Sequence, residues 1–256
     1  MTIETQVLER TVLICAPRAT VFRYFTDPER FAAWWGAGSS VDARPGGEVL
    51  IRYPNGVTAR GTVVELTVDE RFVFTYGYDA PDKPLRPGGS RVVVTLEDRP
   101  EGTHLRLRHE FPDAATRDAH VQGWRYQLAL FANVVAREQH SAVAATLDRY
   151  FAIWSEADGR LREQTLRAIG TTDLTFQDAF GCTVGTLDLG AHVSAVRTHM
   201  PDLRMRREGD VRQCQGTALA DWVAERADGS PAGRGTNVFR LAPDGRIRHV
   251  VGFWAR

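Results

Sequence analysis

The sequence predicts an α+β protein of two domains, a curved antiparallel sheet around a long helix followed by an α+β cone. Three observations predict it. Residues 5–140 read as a strand, two short helices, a run of strands and then a long helix. Residues 141–256 reverse that order, with helices first and a meander of long strands after them. Between the halves, two amphipathic helical patterns meet at a polar junction, residues 137–141. The first pattern carries Val121, Trp124, Leu128, Phe131 and Val135, and the second Val143, Leu147, Tyr150 and Trp154. Spacings of three and four place each set on one helix face. The domains are therefore expected at 1–139 and 140–256, with Ser141 as N-cap of a helix running to Ala157.

Composition narrows the function. With 43% hydrophobic and 25% charged residues the chain has a soluble globular profile. Its formal net charge is zero, and its arginines are scattered among acids. Neither nucleic acid nor a membrane surface is an expected partner. Lys83 is the only lysine. Cys15, Cys182 and Cys214 are odd in number and far apart, which argues against a disulfide framework or a zinc site. The polar stretch 1–10 lacks the apolar core of a secretion signal, and no apolar run approaches the ~20 residues that span a bilayer. A cytoplasmic location is expected.

In the first half, residues 6–15 form a β-rich run, and Pro17 opens a helix with Val21, Phe22 and Phe25 on its apolar face. Asp27-Pro28 breaks it, and a second short helix with Phe31, Trp34 and Trp35 stops at Gly36 and Gly38. Strands are expected at 48–53, 57–67, 71–78, 91–97 and 103–111, with Asn55-Gly56 a hairpin turn. Phe72, Phe74, Tyr76 and Tyr78 alternate on one face, as do Leu105, Leu107, His109 and Phe111. Residues 79–89, rich in Pro and Gly, read as a long loop. A sheet curved around the helix tends to leave a cavity. Phe72, Phe74, Tyr76, His109 and Trp124 are expected to line it as ligand-binding residues, with the 79–89 loop at its mouth. Arg60 and Arg91 either anchor an anion there or face solvent.

The runs Ala19-Thr20-Val21-Phe22, Thr26-Asp27-Pro28-Glu29, Trp34-Trp35, Gly61-Thr62-Val63-Val64-Glu65 and Arg71-Phe72-Val73-Phe74-Thr75-Tyr76 carry a resemblance. Gly102-Thr103-His104-Leu105 and His120, Gly123-Trp124 and Leu128 complete it. Together they resemble the START-like (SRPBCC) superfamily, in the branch named for homology to a heat-shock-protein ATPase activator. The resemblance implies a helix-grip fold with an internal ligand cavity, and no particular reaction.

In the second half, helices are expected at 161–169 and 187–200, a strand at 171–178 and a loop at 179–185. Strands follow at 204–215, 217–225, 234–241 and 247–254. Arg149-Tyr150-Phe151, Asp158, Phe176-Gln177-Asp178-Ala179-Phe180-Gly181, Gly185, His199-Met200-Pro201-Asp202, Asp244-Gly245-Arg246-Ile247 and Phe253-Trp254 resemble the nuclear-transport-factor-2-like superfamily. The branch is the SnoaL-like and ketosteroid-isomerase-like one. By motif position the resemblance places Asp178 as a carboxylate base, Tyr150 as an oxyanion donor, and Asn237 where a second acid would stand. Parity is compatible: Tyr150 shares a face with Leu147 and Trp154, Asp178 with Phe176, and Asn237 with Phe239. Trp154, Phe176 and Phe239 are expected to line the ligand site. The bland alternative leaves Asp178 stabilising its own turn. Asp221 is a second candidate acid, unless its neighbour Trp222 faces inward. His192 and His199 share a helix without a third ligand, so no metal is expected.

These readings imply a protein that binds small apolar or polycyclic molecules, with no cofactor. It either acts in the second domain as an isomerase or cyclase through an enolate, or binds without turnover. A chaperone-linked interaction module is a third reading, suggested by the family name alone. A homodimer through the second domain is also expected.

Overall fold

The computed structural model describes residues 5–83 and 85–255. Residue 84, inside the expected 79–89 loop, and the first four residues of the polar N-terminal stretch lie outside them. The chain divides into two compact units, one ending at Ala136 and the other beginning at Arg137.

The first unit runs β1 (Gln6–Ile14), α1 (Arg18–Thr26), α2 (Pro28–Trp35), β2 (Ser40–Val41), β3 (Glu48–Arg52) and β4 (Thr58–Thr67). It continues with β5 (Arg71–Tyr78), β6 (Ser90–Arg99), β7 (Gly102–Phe111) and the long α3 (Ala114–Gln139), whose last turn passes the division between the units. The seven strands form one antiparallel sheet in the order β1-β7-β6-β5-β4-β3-β2. Local chemistry sets the breaks. Asp27 stands between α1 and α2 because its carboxylate accepts the Glu29 and Arg30 amides at 3.0 Å, capping the orphan donors of α2. Asp113 caps α3 in the same way, accepting the Thr116 amide at 2.8 Å. Gly36, at φ 139°, ends α2 where an added Cβ would collide with the Arg52 carbonyl.

One end of the grip is filled by aromatic rings. Phe25 of α1 sits 5.0 Å from Phe131 of α3 and 5.8 Å from Phe72 of β5, and Phe72 packs on Phe74. At the other end α3 meets the sheet through polar side chains, and a cavity separates them. Arg60 and Arg91 do not face it. Arg60 pairs with Glu48 and Asp79, and Arg91 with Glu110, all on the outside of the sheet.

The second unit runs α4 (Val143–Ile153), α5 (Gly159–Ile169), β8 (Gly170–Gln177), β9 (Cys182–Val184) and α6 (Thr186–His199). It closes with β10 (Arg204–Cys214), β11 (Thr217–Glu225), β12 (Pro231–Leu241) and β13 (Ile247–Trp254). Its sheet has the order β10-β11-β12-β13-β8-β9, antiparallel except where β13 runs parallel to β8. The helices cover the face carrying Ala218, Ala220, Trp222, Phe239 and Val250, all buried. The fold class is therefore the one the sequence predicts, an α+β protein with a helix-grip and a cone. Two local expectations are corrected. Ser141 does not cap α4: Ala142 holds the cap position without a side-chain bond, and the helix ends at Ile153 rather than at 157. The 179–185 loop contains the short strand β9. Among the described residues no helix is long and apolar enough to cross a membrane.

Candidate functional site

The larger cavity lies in the first unit, between α3 and the open end of the sheet, with a volume of about 930 Å³. Small-molecule sites typically fall between about 300 and 1,000 Å³. Its aromatic wall includes Trp35 from α2, Tyr76 and Tyr78 from β5, and Trp124 from α3. Lys83 and Leu85 of the 79–89 loop complete the rim. The α3 side presents His120, Gly123, Trp124 and Gln127, the i, i+3, i+4, i+7 set of one helix face. Gly123 is the informative member. A Cβ placed on it would meet nothing within 4 Å, so the helix leaves open space there. A glycine inside a helix costs about 1 kcal/mol relative to alanine, and here it preserves volume.

Behind this wall a relay of hydrogen bonds fixes α3 to three strands. Trp124 Nε1 donates to His109 Nδ1 at 2.9 Å. The Ser90 hydroxyl donates to the Tyr76 carbonyl at 2.9 Å, so His109 Nε2, 2.8 Å from Ser90 Oγ, must be the protonated nitrogen that donates to it. Every group is satisfied with His109 neutral. Burial holds its pKa down at about 2, and neighbouring His120 pushes the same way. His109 is thus a structural core histidine beneath the cavity.

A second polar series lines the cavity itself. Tyr53 and Tyr76 place their hydroxyls 2.8 Å apart. The Tyr76 ring packs edge-on to Tyr78, with centroids 5.5 Å apart, and Tyr78 Oη lies 3.2 Å from His120 Nε2. His120 Nδ1 is 2.7 Å from the Thr116 carbonyl, which fixes the proton on Nδ1 and makes Nε2 the acceptor of the Tyr78 hydroxyl. Burial raises the Tyr53 and Tyr76 phenols above their usual value and lowers His120.

Of the residues expected here, Tyr76 and Trp124 line the cavity and Phe72, Phe74 and His109 do not. The two phenylalanines are fully buried at the ring-filled end of the grip, and the histidine is fully buried behind Trp124. Sequence reasoning missed Tyr53, His120 and Gly123. The helical spacing of His120, Gly123, Trp124 and Gln127 carried the signal, but an apolar-periodicity search passes over a histidine and a glycine.

The second unit holds a smaller cavity of about 320 Å³, lined by Trp154, Phe176, Asp178, Asn237, Trp222 and Trp254 among others. Four of the expected residues therefore share one space. Tyr150 and Phe239 do not line it. Both are fully buried, with rings 5.1 Å apart. The Tyr150 hydroxyl and Trp154 Nε1 are enclosed without a hydrogen bond of normal geometry. Burial pushes the Tyr150 phenol far above its usual value, the Trp154 indole opposes this, and the charge of Asp178 adds to it.

Asp178 is already engaged. Strand β8 ends at Gln177, so Asp178 opens the following turn. Its Oδ1 accepts the Phe180 and Gly181 amides at 2.8 and 3.0 Å, and its Oδ2 accepts Trp254 Nε1 at 3.2 Å. Asn237 Oδ1 accepts Trp222 Nε1 at 2.9 Å, which assigns the amide orientation. The three-residue enolate constellation is not assembled: the base carries three donors, and the tyrosine hydroxyl is closed off. Asp221 lies outside the cone, bonded to Thr236 and Arg212, while Trp222 faces inward. Among the described residues no group of three or more His, Cys, Asp or Glu is placed to hold a metal.

Residues 15–136 match the family described as Activator of Hsp90 ATPase homolog 1-like protein. Among solved structures, the chain is similar to an AHSA1-like protein from Rhizobium etli, with 32% identity over 52% of this chain and 83% of that one and a TM-score of 0.42. It is also similar to a SnoaL-like family protein from Agrobacterium tumefaciens strain C58, with 27% identity over 46% of this chain and 99% of that one and a TM-score of 0.43. No curated protein matches.

Proposed function

We propose, from the premise that residues 15–136 belong to the Activator of Hsp90 ATPase homolog 1-like family, that this protein binds a small, largely apolar molecule in the cavity of its first unit and does not turn it over. The observation that carries this reading is the cavity of about 930 Å³ beneath an α3 face kept open by Gly123. An aromatic wall of that size removes several hundred Å² of ligand from water, and each 100 Å² of apolar surface contributes about 2.5 kcal/mol before the cost of immobilising the ligand. Among the described residues the imidazole that faces it, His120, is bonded to the Thr116 carbonyl and the Tyr78 hydroxyl rather than to a carboxylate. Asp113, at the rim, has its carboxylate on the Thr116 amide and hydroxyl. The geometry supports holding a molecule rather than moving a proton on it.

Nile red tests this. The reading expects saturable binding with a blue-shifted emission and energy transfer from tryptophan, lost when the cavity is filled by substitution at Gly123. An emission unchanged by the protein would overturn it.

A second reading, an isomerase or cyclase in the second unit, draws on Asp178 and Asn237 sharing one cavity. The three hydrogen bonds held by Asp178 weigh against it, since a general base needs a lone pair directed at the substrate.

A further inference from the structure

We propose that the cavity of the second unit is a site for a small quaternary ammonium ion, held among aromatic rings and beside the carboxylate of Asp178. This goes beyond the ligand-binding reading of the first unit and does not depend on it.

The rings of Trp154, Phe176, Phe180, Trp222 and Trp254 border this space of about 320 Å³. Phe180 meets Trp254 at 90° with centroids 5.1 Å apart, and Trp254 meets Trp222 at 84° and 4.9 Å. Trp154 and Phe176 are 5.6 Å apart at 53°. Rings set at such angles wall the space on several sides. An aromatic face attracts a cation within about 6 Å of its centroid, tryptophan most strongly. The N–H edges of two of the indoles, which would repel a cation, are spent. Trp254 Nε1 donates to Asp178 and Trp222 Nε1 to Asn237. The charge on the lining has one sign to offer. Among the described residues Asp178 is its one carboxylate, and neither lysine nor arginine lines it. The imidazole of His192 packs on Phe176 and Trp154, at 5.5 and 5.9 Å.

Hydrogen bonding narrows the kind of cation. The three N–H donors that unfit Asp178 as a base also fix its carboxylate in place. Coulomb attraction needs no free lone pair. A primary ammonium, by contrast, brings three N–H donors that need acceptors once it leaves water. Here three acceptor positions of Asp178 are filled, and Asn237 Oδ1 holds Trp222. A quaternary ammonium has no N–H and loses nothing by this. Exposure gives the site a mouth. Phe180 and Trp254 are 72% and 40% exposed beside the half-buried Asp178, while Trp154, Phe176 and Trp222 are buried. A cation entering there meets rings and a carboxylate together before it reaches the apolar interior.

The test compares choline with 3,3-dimethylbutan-1-ol, which puts carbon in place of the charged nitrogen and keeps the shape. Each is titrated into the full-length protein at pH 8.0 and low salt, and the indole ¹⁵N–¹H signals of Trp222 and Trp254 are followed. The expected result is a saturable shift of both signals by choline, with an affinity at least tenfold above that of the alcohol. Phe180→Leu keeps an apolar side chain at an exposed position and removes one ring. It should lower the choline to alcohol affinity ratio about two- to fivefold, the share of a single cation–π contact. Asp178→Asn removes the charge and should lower the ratio at least threefold. If that variant does not fold, Phe180→Leu still decides. Equal affinities in the wild type, or a ratio that Phe180→Leu or folded Asp178→Asn leaves unchanged, would overturn the proposal. So would the absence of choline shifts at Trp222 and Trp254. None of these results bears on Nile red binding in the first unit.

Discussion

Replacing Gly123 with leucine should stabilise the protein and abolish ligand binding together. Gly123 lies inside α3, where helical conformation is set by neighbouring turns, and a Cβ there meets nothing within 4 Å. Removing an interior helix glycine gains about 1 kcal/mol from backbone entropy alone. For a unit of this size that gain raises the unfolding midpoint by roughly 4 °C. The added isobutyl group projects into the space between Trp124 and His120, where the ligand must lie. Loss of a large part of the aromatic contact should weaken Nile red or 9-fluorenol at least tenfold, an increment of about 1.4 kcal/mol. Calorimetry of the free protein and a fluorescence titration read the two effects separately. A variant that binds as the wild type does would show that the cavity is not the site. A variant that loses both binding and stability would show that the α3 face is closed.

Other consequences follow from the same geometry. His109 should make the first unit acid-sensitive. Its pKa is about 2 in the fold and near 6.5 when unfolded, so between those values the unfolded chain takes a proton the folded one refuses. The stability it preserves is full above about pH 6.5 and declines as pH falls, by at most about 1.4 kcal/mol per unit. Urea titrations at pH 7, 6 and 5 should show that slope, and His109→Gln should flatten it. Ser90→Ala removes the acceptor of the buried His109 Nε2–H and should cost about 1–3 kcal/mol at pH 7.5 by the same method. Asp178→Asn should loosen its turn and alter Trp254 fluorescence, and wild-type protein should not accelerate deuterium exchange at the α-carbon of a cyclic ketone. Measurable acceleration by the wild type that Asp178→Asn removes would favour the isomerase reading. Fragments 1–139 and 140–256 should each give a dispersed NMR spectrum, whereas a collapsed one would contradict independent folding.

Strand alternation and helix spacing were enough to lay out most elements, because each half buries one face of a sheet and one face of its helices. The elements that escaped were those whose signals are too short for a period. Strands β2 and β9 have two and three residues. The Ser141 cap failed because a serine beside a helical pattern is only permission to cap, and α4 begins two residues later. Parity also says which face a side chain takes but not which end of the strand stays empty. Along β5, Phe72 packs on Phe25, itself packed on Phe131, and Phe74 packs on Phe72, while Tyr76 and Tyr78 line the cavity where α3 stands off. That difference depends on residues about 50 positions away in sequence. Asp178 illustrates the same limit within a motif. The segment Asp178-Ala179-Phe180-Gly181 suits a carboxylate that binds its own turn as well as one that takes a substrate proton, and the structure shows the first.

The most direct measurement is a ¹⁵N–¹H NMR titration of the six tryptophan indole signals with 9-fluorenol. Three of these residues, Trp34, Trp35 and Trp124, line the first cavity, and three, Trp154, Trp222 and Trp254, line the second. The account predicts saturable shifts of the Trp35 and Trp124 signals while Trp222 and Trp254 stay in place. Shifts confined to Trp222 and Trp254, or no shift at saturating ligand, would contradict it.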